Sequence, residues 1–244
     1  MKTELYRNLA VSQVKSSNNK SMQTKRLSPT ILGFFLIFIP VVLFSQSQSD
    51  GWEWKREKGG IKVYLREVEN SDIKELKFET ELEASLTSIA AILTDVPGFD
   101  DWVYASVTSQ TVRKVSDTEV IYYTEMDFPW PMSNRDLVLR SHFWQDPHTL
   151  AFHSKTYSVH EEMPEKEGII RMTKADIHWI FTPIGNGKLK LDYFLSSDPG
   201  GSIPAWMINL AADQGPLMTM VKFKEAIEKE KYKNAKLAFV QEYE

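Results

Sequence analysis

The chain is predicted to be α+β, a curved antiparallel sheet covered by one long C-terminal helix. Three observations predict it. From Asp101 to Asp198 one alternating segment follows another, with candidate strands at Val103–Val115, Val120–Phe128, Arg135–Trp144, Thr149–Ser158, Ile169–Pro183 and Lys188–Ser197. The joints between them, "DTE", "PWPMSN", "DPHT" and "GNGK", are short turn sequences. Parallel pairing needs long crossovers, so consecutive strands on short turns pair antiparallel. Finally, Ile203, Met207, Leu210, Gln214, Leu217 and Val221 fall on one helical stripe, with Trp206 and Met218 beside it. A sheet this long curls, and a single helix can cover its concave side and leave the shared interior partly empty. That arrangement is a helix-grip fold.

The remaining elements follow in order. "GWEWKREKGGIKVYLREV" gives a Trp-bearing opening, a Gly59-Gly60 turn and a strand, and "ENSD" turns it into the alternating "IKELKFETELEA". "SLTSIAAILTDVPGF" reads as a short helix: Ser85 is the N-cap, Leu86, Ile89, Ala90 and Leu93 share a face, and Pro97 ends it. For the last helix Ser202 is the expected cap, Pro204 lies in the first turn, and Gly215-Pro216 kinks the middle. Beyond Lys222 the sequence becomes strongly charged and reads as a solvated ending, with residues 233–244 a charged tail.

The N-terminal segment is set apart from the fold. Lys25 and Arg26 flank an apolar run from Ile31 to Phe44, followed by Ser45-Gln46-Ser47. Residues 1–47 read as a signal peptide cleaved near Ser47 or Ser49. The alternative is an uncleaved anchor through residues 31–44, although a spanning helix needs about 20 residues. Either way the domain at 50–232 is expected outside the cytoplasm, periplasmic or secreted. Met22 would give a signal of conventional length, which makes residues 1–21 readable as a start-site overcall.

Composition excludes several classes. The 244 residues contain no Cys, which rules out disulfides, Cys-ligated metal and a Cys nucleophile. The chain carries 29 basic and 33 acidic residues; without the six basic and one acidic residue of 1–49, the rest stands at −9. Nucleic-acid affinity rests on basic phosphate contacts, so no nucleic-acid partner is expected. The same sign argues against permanent adhesion to an anionic membrane. No nucleophile elbow, metal-spaced His cluster, phosphate loop or dinucleotide glycine pattern occurs.

Charge inside apolar strands marks the candidate site. With the turn of "YYTEMDFPWPMSNRDLVLRSHFW" centred between Met132 and Ser133, Glu125 falls opposite Arg140, and Tyr123 opposite His142 on the same face. The other face carries Tyr122, Thr124, Met126 and Phe128 with Leu137, Leu139, Ser141 and Phe143. Both faces are apolar enough to point inward. The pair is either an exposed salt bridge, well under ~1 kcal/mol, or a buried polar landmark.

The motifs "DFPWPMSNRDLVLR", "GIIRMTKADIHWIFTPIG" and "LDYFLSSDPGGSIPAWMINLAADQGPLMTMVKFKEAI" together resemble a START domain, the lipid-transfer domain related to the steroidogenic acute regulatory protein, of the Bet v 1-like superfamily. The resemblance runs from about Trp52 to Lys229. It implies an apolar tunnel holding a single lipid, gated by the last helix, with no metal, coenzyme or catalytic residue. Glu125 and Arg140 are then an inward pair, with Tyr123 and His142 beside them. Trp206, Met207, Leu210, Leu217 and Met218 face the ligand, and Pro199, Gly200 and Gly201 form a hinge. The implied partner is a sterol, hopanoid, phospholipid or fatty acid, with transient membrane contact by a monomer. Two other readings stay open. One is a cyclase- or hydrolase-type enzyme using Glu125, Asp127, His142, His153 or His178. The other is an extracytoplasmic interaction module with a vestigial cavity.

Overall fold

The computed structural model describes residues 50–243. The signal or anchor segment, including 31–44, lies outside them. Ten strands form one sheet: β1 (Glu53–Lys58), β2 (Ile61–Val68), β3 (Ser71–Glu83), β4 (Ser106–Ser116), β5 (Glu119–Met126), β6 (Arg135–Gln145), β7 (Phe152–Ser158), β8 (Ile170–Arg171), β9 (Lys174–Gly185) and β10 (Lys188–Asp198). Their order is β1-β2-β3-β10-β9-β7-β6-β5-β4, and only the two-residue β8, beside β6, pairs parallel. The expected strands are present, except that Ile169–Pro183 divides into β8 and β9 and the Trp-bearing opening is an additional strand, β1.

Strand alternation decides which face is inside. In β10, Leu189, Leu191, Tyr193 and Leu195 are buried while Lys188, Lys190 and Asp192 point outward. The same parity buries Trp179 and Phe181 of β9, Phe152 of β7, Leu137, Leu139 and Phe143 of β6, and Tyr122 of β5. These side chains meet α1 (Leu86–Thr94), α2 (Phe99–Trp102) and the C-terminal helices in one core. Ser85 caps α1 as expected, its side chain accepting from the Ser88 N–H.

The C-terminal helix departs from the expectation. It is three pieces: α3 (Ala205–Ala211), α4 (Gln214–Ala226) and α5 (Glu230–Lys233). Pro204, not Ser202, stands at the N-cap of α3. The break falls at Ala212-Asp213, ahead of Gly215-Pro216, which sit in the first turn of α4 where Pro is tolerated. Asp213 explains the position: its carboxylate is buried against Lys55 Nζ at 2.8 Å and Arg56 Nε at 2.5 Å. A carboxylate tied to two cations of β1 fixes the chain there, and α3 runs off separately. The buried stripe of α4 is Leu217, Met220, Phe223 and Ala226, followed by Ile227.

The tail is also not the solvated ending that its charge suggested. Tyr232 is buried and donates to Asp95 Oδ2 at 2.9 Å, while Leu237, Phe239, Val240 and Tyr243 pack on the core. Gln145 and Gln241 exchange two hydrogen bonds of 2.8 Å. The Glu242 carboxylate accepts from the first N–H groups of α1, Leu86 at 3.0 Å and Thr87 at 2.7 Å. An acidic group there satisfies orphan donors and complements the helix dipole.

On the outer face, the excursion from Val159 to Ile170 is held by a buried ion pair. Asp136 accepts from Arg171 Nε at 2.7 Å and Nη2 at 3.0 Å, and the remaining guanidinium donors cap the carbonyls of His160, Met163 and Pro164. Both side chains are at most 2% exposed. Asp136→Ala leaves a buried guanidinium uncompensated and is expected to lower stability by about 3–5 kcal/mol. Urea denaturation of the two proteins checks this.

Candidate functional site

The register of the β5–β6 hairpin revises the proposed acid–guanidinium pair. Glu125 lies opposite Asp136, and Arg140 opposite Ile121, so the two charges stand four residues apart along the ladder. Tyr123 pairs with Val138 and His142 with Glu119. The hairpin is centred on Trp130-Pro131, two residues earlier than the sequence suggested, because Asn134 closes the loop. Its amide donates to Glu125 Oε1 at 2.9 Å and its carbonyl oxygen accepts from the Phe128 N–H at 3.4 Å. Arg140 instead pairs with Glu119.

The shift keeps the parity, and the parity puts this face outside. Ile121, Tyr123, Val138 and Val159 form a small separate cluster, with Met163 against it. Glu125 sits at its border, accepting from the Tyr123 hydroxyl at 3.3 Å. Lys166 lies 4.0 Å from the Tyr123 ring centroid. Glu125, Arg140, Tyr123 and His142 are thus on the convex side of the sheet, away from the core.

The concave side has other polar groups. Tyr122, Ser141 and Thr156 share the concave face, where Ser141 Oγ and Thr156 Oγ1 are hydrogen-bonded at 2.5 Å. Burial pushes the Tyr122 phenol up to about 12, so it stays neutral. Ser109 Oγ and Thr124 Oγ1 are 3.0 Å apart beside it. Opposite stand Trp179 and Tyr193, stacked with centroids 4.0 Å apart, then Phe181 and Phe78. Trp102 of α2 and Phe223 of α4 fill the space between, in edge contact at 5.2 Å. The centre between the two sides is therefore lined by rings. Two open clefts, of about 570 and 280 Å³, lie at the far end of the sheet, one against the Lys236–Phe239 tail and one beside Lys224 and Ile227.

The predicted helix residues divide. Leu217 is buried and Met218 half-buried in α4, but Trp206, Met207 and Leu210 of α3 are exposed, Trp206 at 66% and Leu210 at 69%. Asn209 holds α3 against the start of β3, donating to the Asp72 carbonyl at 2.8 Å and accepting from the Lys74 N–H at 3.0 Å. Gly200 and Gly201 have φ of +65° and +72°, a conformation other residues adopt only with strain. A Cβ on Gly201 would come within 3.2 Å of Ile170. Beneath them lies Arg135, buried on the concave side, donating to the Pro199 carbonyl at 3.3 Å and to the Ser133 carbonyl at 2.5 Å, with its guanidinium over the Phe128 ring. Burial holds its pKa below the ordinary arginine value.

Two of the histidines come together on the convex face. His153 and His178 sit there with Nδ1 and Nε2 3.2 Å apart, and Trp144 stacks on His153 at 4.8 Å. Among the described residues no group of three or more His, Asp or Glu side chains could hold a metal ion. Burial, then the neighbouring His153 and Lys155, pull His178 down to about 4. Its unfolded value is near 6.5, so the unfolded chain takes up the proton first on acidification. The contribution of neutral His178 is complete above about pH 6.5 and lost as pH falls towards about 4. Replacing it by Gln is expected to flatten the fall of the urea midpoint across that window.

The chain belongs to the START domain family, whose family model matches residues 41–233. It is 30% identical to an uncharacterized protein of Pseudomonas aeruginosa over 74% of this chain and 89% of that one. It is also 30% identical to the phosphatidylcholine transfer protein of Mus musculus, over 67% of this chain and 78% of that one. Among solved structures, a fragment of the STAR-related lipid transfer protein of Xanthomonas axonopodis superposes with a TM-score of 0.69 at 29% identity, covering 74% of this chain and all of the other. Human StAR-related lipid transfer protein 5 shares the fold, with a TM-score of 0.67 at 17% identity over 74% of this chain and 88% of that one.

Proposed function

We propose that the protein binds one lipid between α4 and the concave sheet face and transfers it between membranes outside the cytoplasm, without catalysis. The observation that carries this reading is the concentration of exposed apolar side chains at one end. β5 ends at Met126, β6 begins at Arg135, β4 begins at Ser106, and β10 ends at Asp198, all at the same edge of the sheet. Trp130, 92% exposed, projects from the β5–β6 turn there; Tyr104 precedes β4, and Trp206, Met207 and Leu210 follow the Pro199–Gly201 turn. Exposed apolar groups gathered this way fit a membrane surface, and Trp suits its interfacial layer. The relatives named above as lipid transfer proteins support the same reading.

The energetics favour exchange at that surface. Lifting α4 exposes Leu217, Met220, Phe223, Ala226 and Ile227, on the order of 10 kcal/mol at about 1.5–3 kcal/mol for each large side chain. An acyl chain returns a similar amount, on the order of 10 kcal/mol at about 0.8 kcal/mol per methylene. The closed and loaded states are then comparable, and opening into water alone is rare. Pro199, Gly200 and Gly201 are the hinge in this scheme, and the break at Ala212-Asp213 lets α3 stay on the membrane while α4 moves.

Native mass spectrometry of the gently purified protein is expected to show one lipid per chain. Replacing Trp206 and Leu210 together by Ser should slow vesicle-to-vesicle lipid transfer by about tenfold or more, with the folding midpoint unchanged because both side chains are already exposed. Failure to carry any lipid, or a transfer rate indifferent to these changes, refutes the reading.

A further inference from the structure

The concave face has two unlike walls. β3, β9 and β10 present rings and aliphatic groups, Phe78, Phe181, Trp179, Tyr193 and Leu191. β4 to β7 add hydroxyls, Ser109, Tyr122, Thr124, Ser141 and Thr156, each buried, among Leu137, Leu139, Phe143 and Phe152. Along the concave positions of β5, β6, β7, β9 and β10 the one charged side chain is Arg135, which lies at the hinge end, engaged by the Pro199 and Ser133 carbonyls. The middle of the interior is polar only through neutral groups.

Trp102 adds a donor without a partner. Its side chain is 4% exposed, and its indole Nε1 is wholly buried with no hydrogen-bond acceptor among the described residues. The ring touches Trp179 of the aromatic wall and Phe223 of α4, with centroids 6.3 and 5.2 Å away. Phe99 links it to the other wall, in edge contact with Trp102 and Tyr122 at 5.3 Å each. Leaving such a donor unpaired costs about 1–3 kcal/mol, and Phe223, whose ring packs on the same indole, belongs to α4.

Resting on the lipid-binding reading above, we infer that the ligand is an uncharged lipid bearing a hydroxyl or ester oxygen, which Trp102 Nε1–H engages once Phe223 withdraws. The Tyr122–Ser141–Thr156 cluster supplies further exchangeable donors and acceptors, and the ring wall takes the hydrocarbon. A carboxylate or phosphate drawn to the same depth would meet neutral dipoles alone, which do not offset the loss of its hydration. The polar chemistry of the interior therefore selects against heads that carry an ionised group, anionic or zwitterionic.

The test uses the full chain and four fluorescent probes: nitrobenzoxadiazole-labelled cholesterol and diacylglycerol, both uncharged in the head, and the similarly labelled palmitate and phosphatidylcholine. The uncharged probes are expected to bind saturably and at least tenfold more tightly than the other two. Trp102→Phe keeps a ring and removes the donor, and should weaken the uncharged probes by about 2- to 12-fold, the size of one neutral hydrogen bond. Thr156→Val provides the same reading from the opposite wall if the Trp102 variant does not fold. Tighter binding of palmitate or phosphatidylcholine, or uncharged-probe affinity unmoved in a folded variant, overturns the inference while leaving lipid binding intact. Binding of none of the four overturns both.

Discussion

The packing of Phe223 of α4 on the rings of Trp102, Trp179 and Phe181, with Leu217 and Met220 in the same core, is the contact on which the rest of the structure depends. A sheet of ten strands curved around one side needs its concave face covered, since exposed rings of that area would cost far more than the fold's net stability. The cover is a single helix of thirteen residues, Gln214–Ala226, tied at few polar points. Thr219 Oγ1 accepts from the Tyr104 N–H at 3.0 Å, and Lys224 Nζ reaches the Glu81 carbonyl at 3.3 Å. What holds it is mainly apolar area, which a lipid can replace in kind. Under the proposed function, α4 and the cargo would compete for the same surface.

The two ends of the sheet are built differently. At the far end, Glu242 on α1, Gln241 on Gln145 and Tyr232 on Asp95 close the structure with directed hydrogen bonds. At the Pro199–Gly201 end stand two left-handed glycines, a buried arginine held by two carbonyls, and a helix with its apolar residues outward that Asn209 ties to the start of β3. Directed bonds fix a geometry, whereas glycines and apolar contacts tolerate rearrangement. In the proposed scheme this asymmetry gives movement to the Pro199–Gly201 end and anchoring to the tail.

Much of the fold was legible in the residues because strand alternation and turn chemistry agree along the whole chain. The "SLTSI" cap was read from Ser85 correctly, since an N-cap is a local signal. Register was not local. The eight residues from Asp127 to Asn134 offer several hairpin centres, and only the Asn134 side chain, bonding back to Glu125 and Phe128, selects one. The slip of four residues separated Glu125 from Arg140; the face they share, which an even slip leaves unchanged, is the convex one. Tyr122, Thr124 and Ser141 were on the opposite face by the same alternation, yet their hydroxyls carried less weight than the charges. The tail misled for a related reason: charge density outweighed the spaced Tyr232, Leu237, Phe239 and Tyr243, whose partners are over ninety residues away in sequence. Asp213 broke the last helix through contacts with Lys55 and Arg56, which no helical pattern announces.

Amide hydrogen exchange followed with and without lipid vesicles tests the central claim most directly. If α4 is a lid held by area that lipid replaces, contact with vesicles should raise deuterium uptake across residues 214–227 while β9, β10 and the tail strap keep their protection. Lipid moving between vesicles with the amides of α4 as protected as in the isolated protein would contradict it.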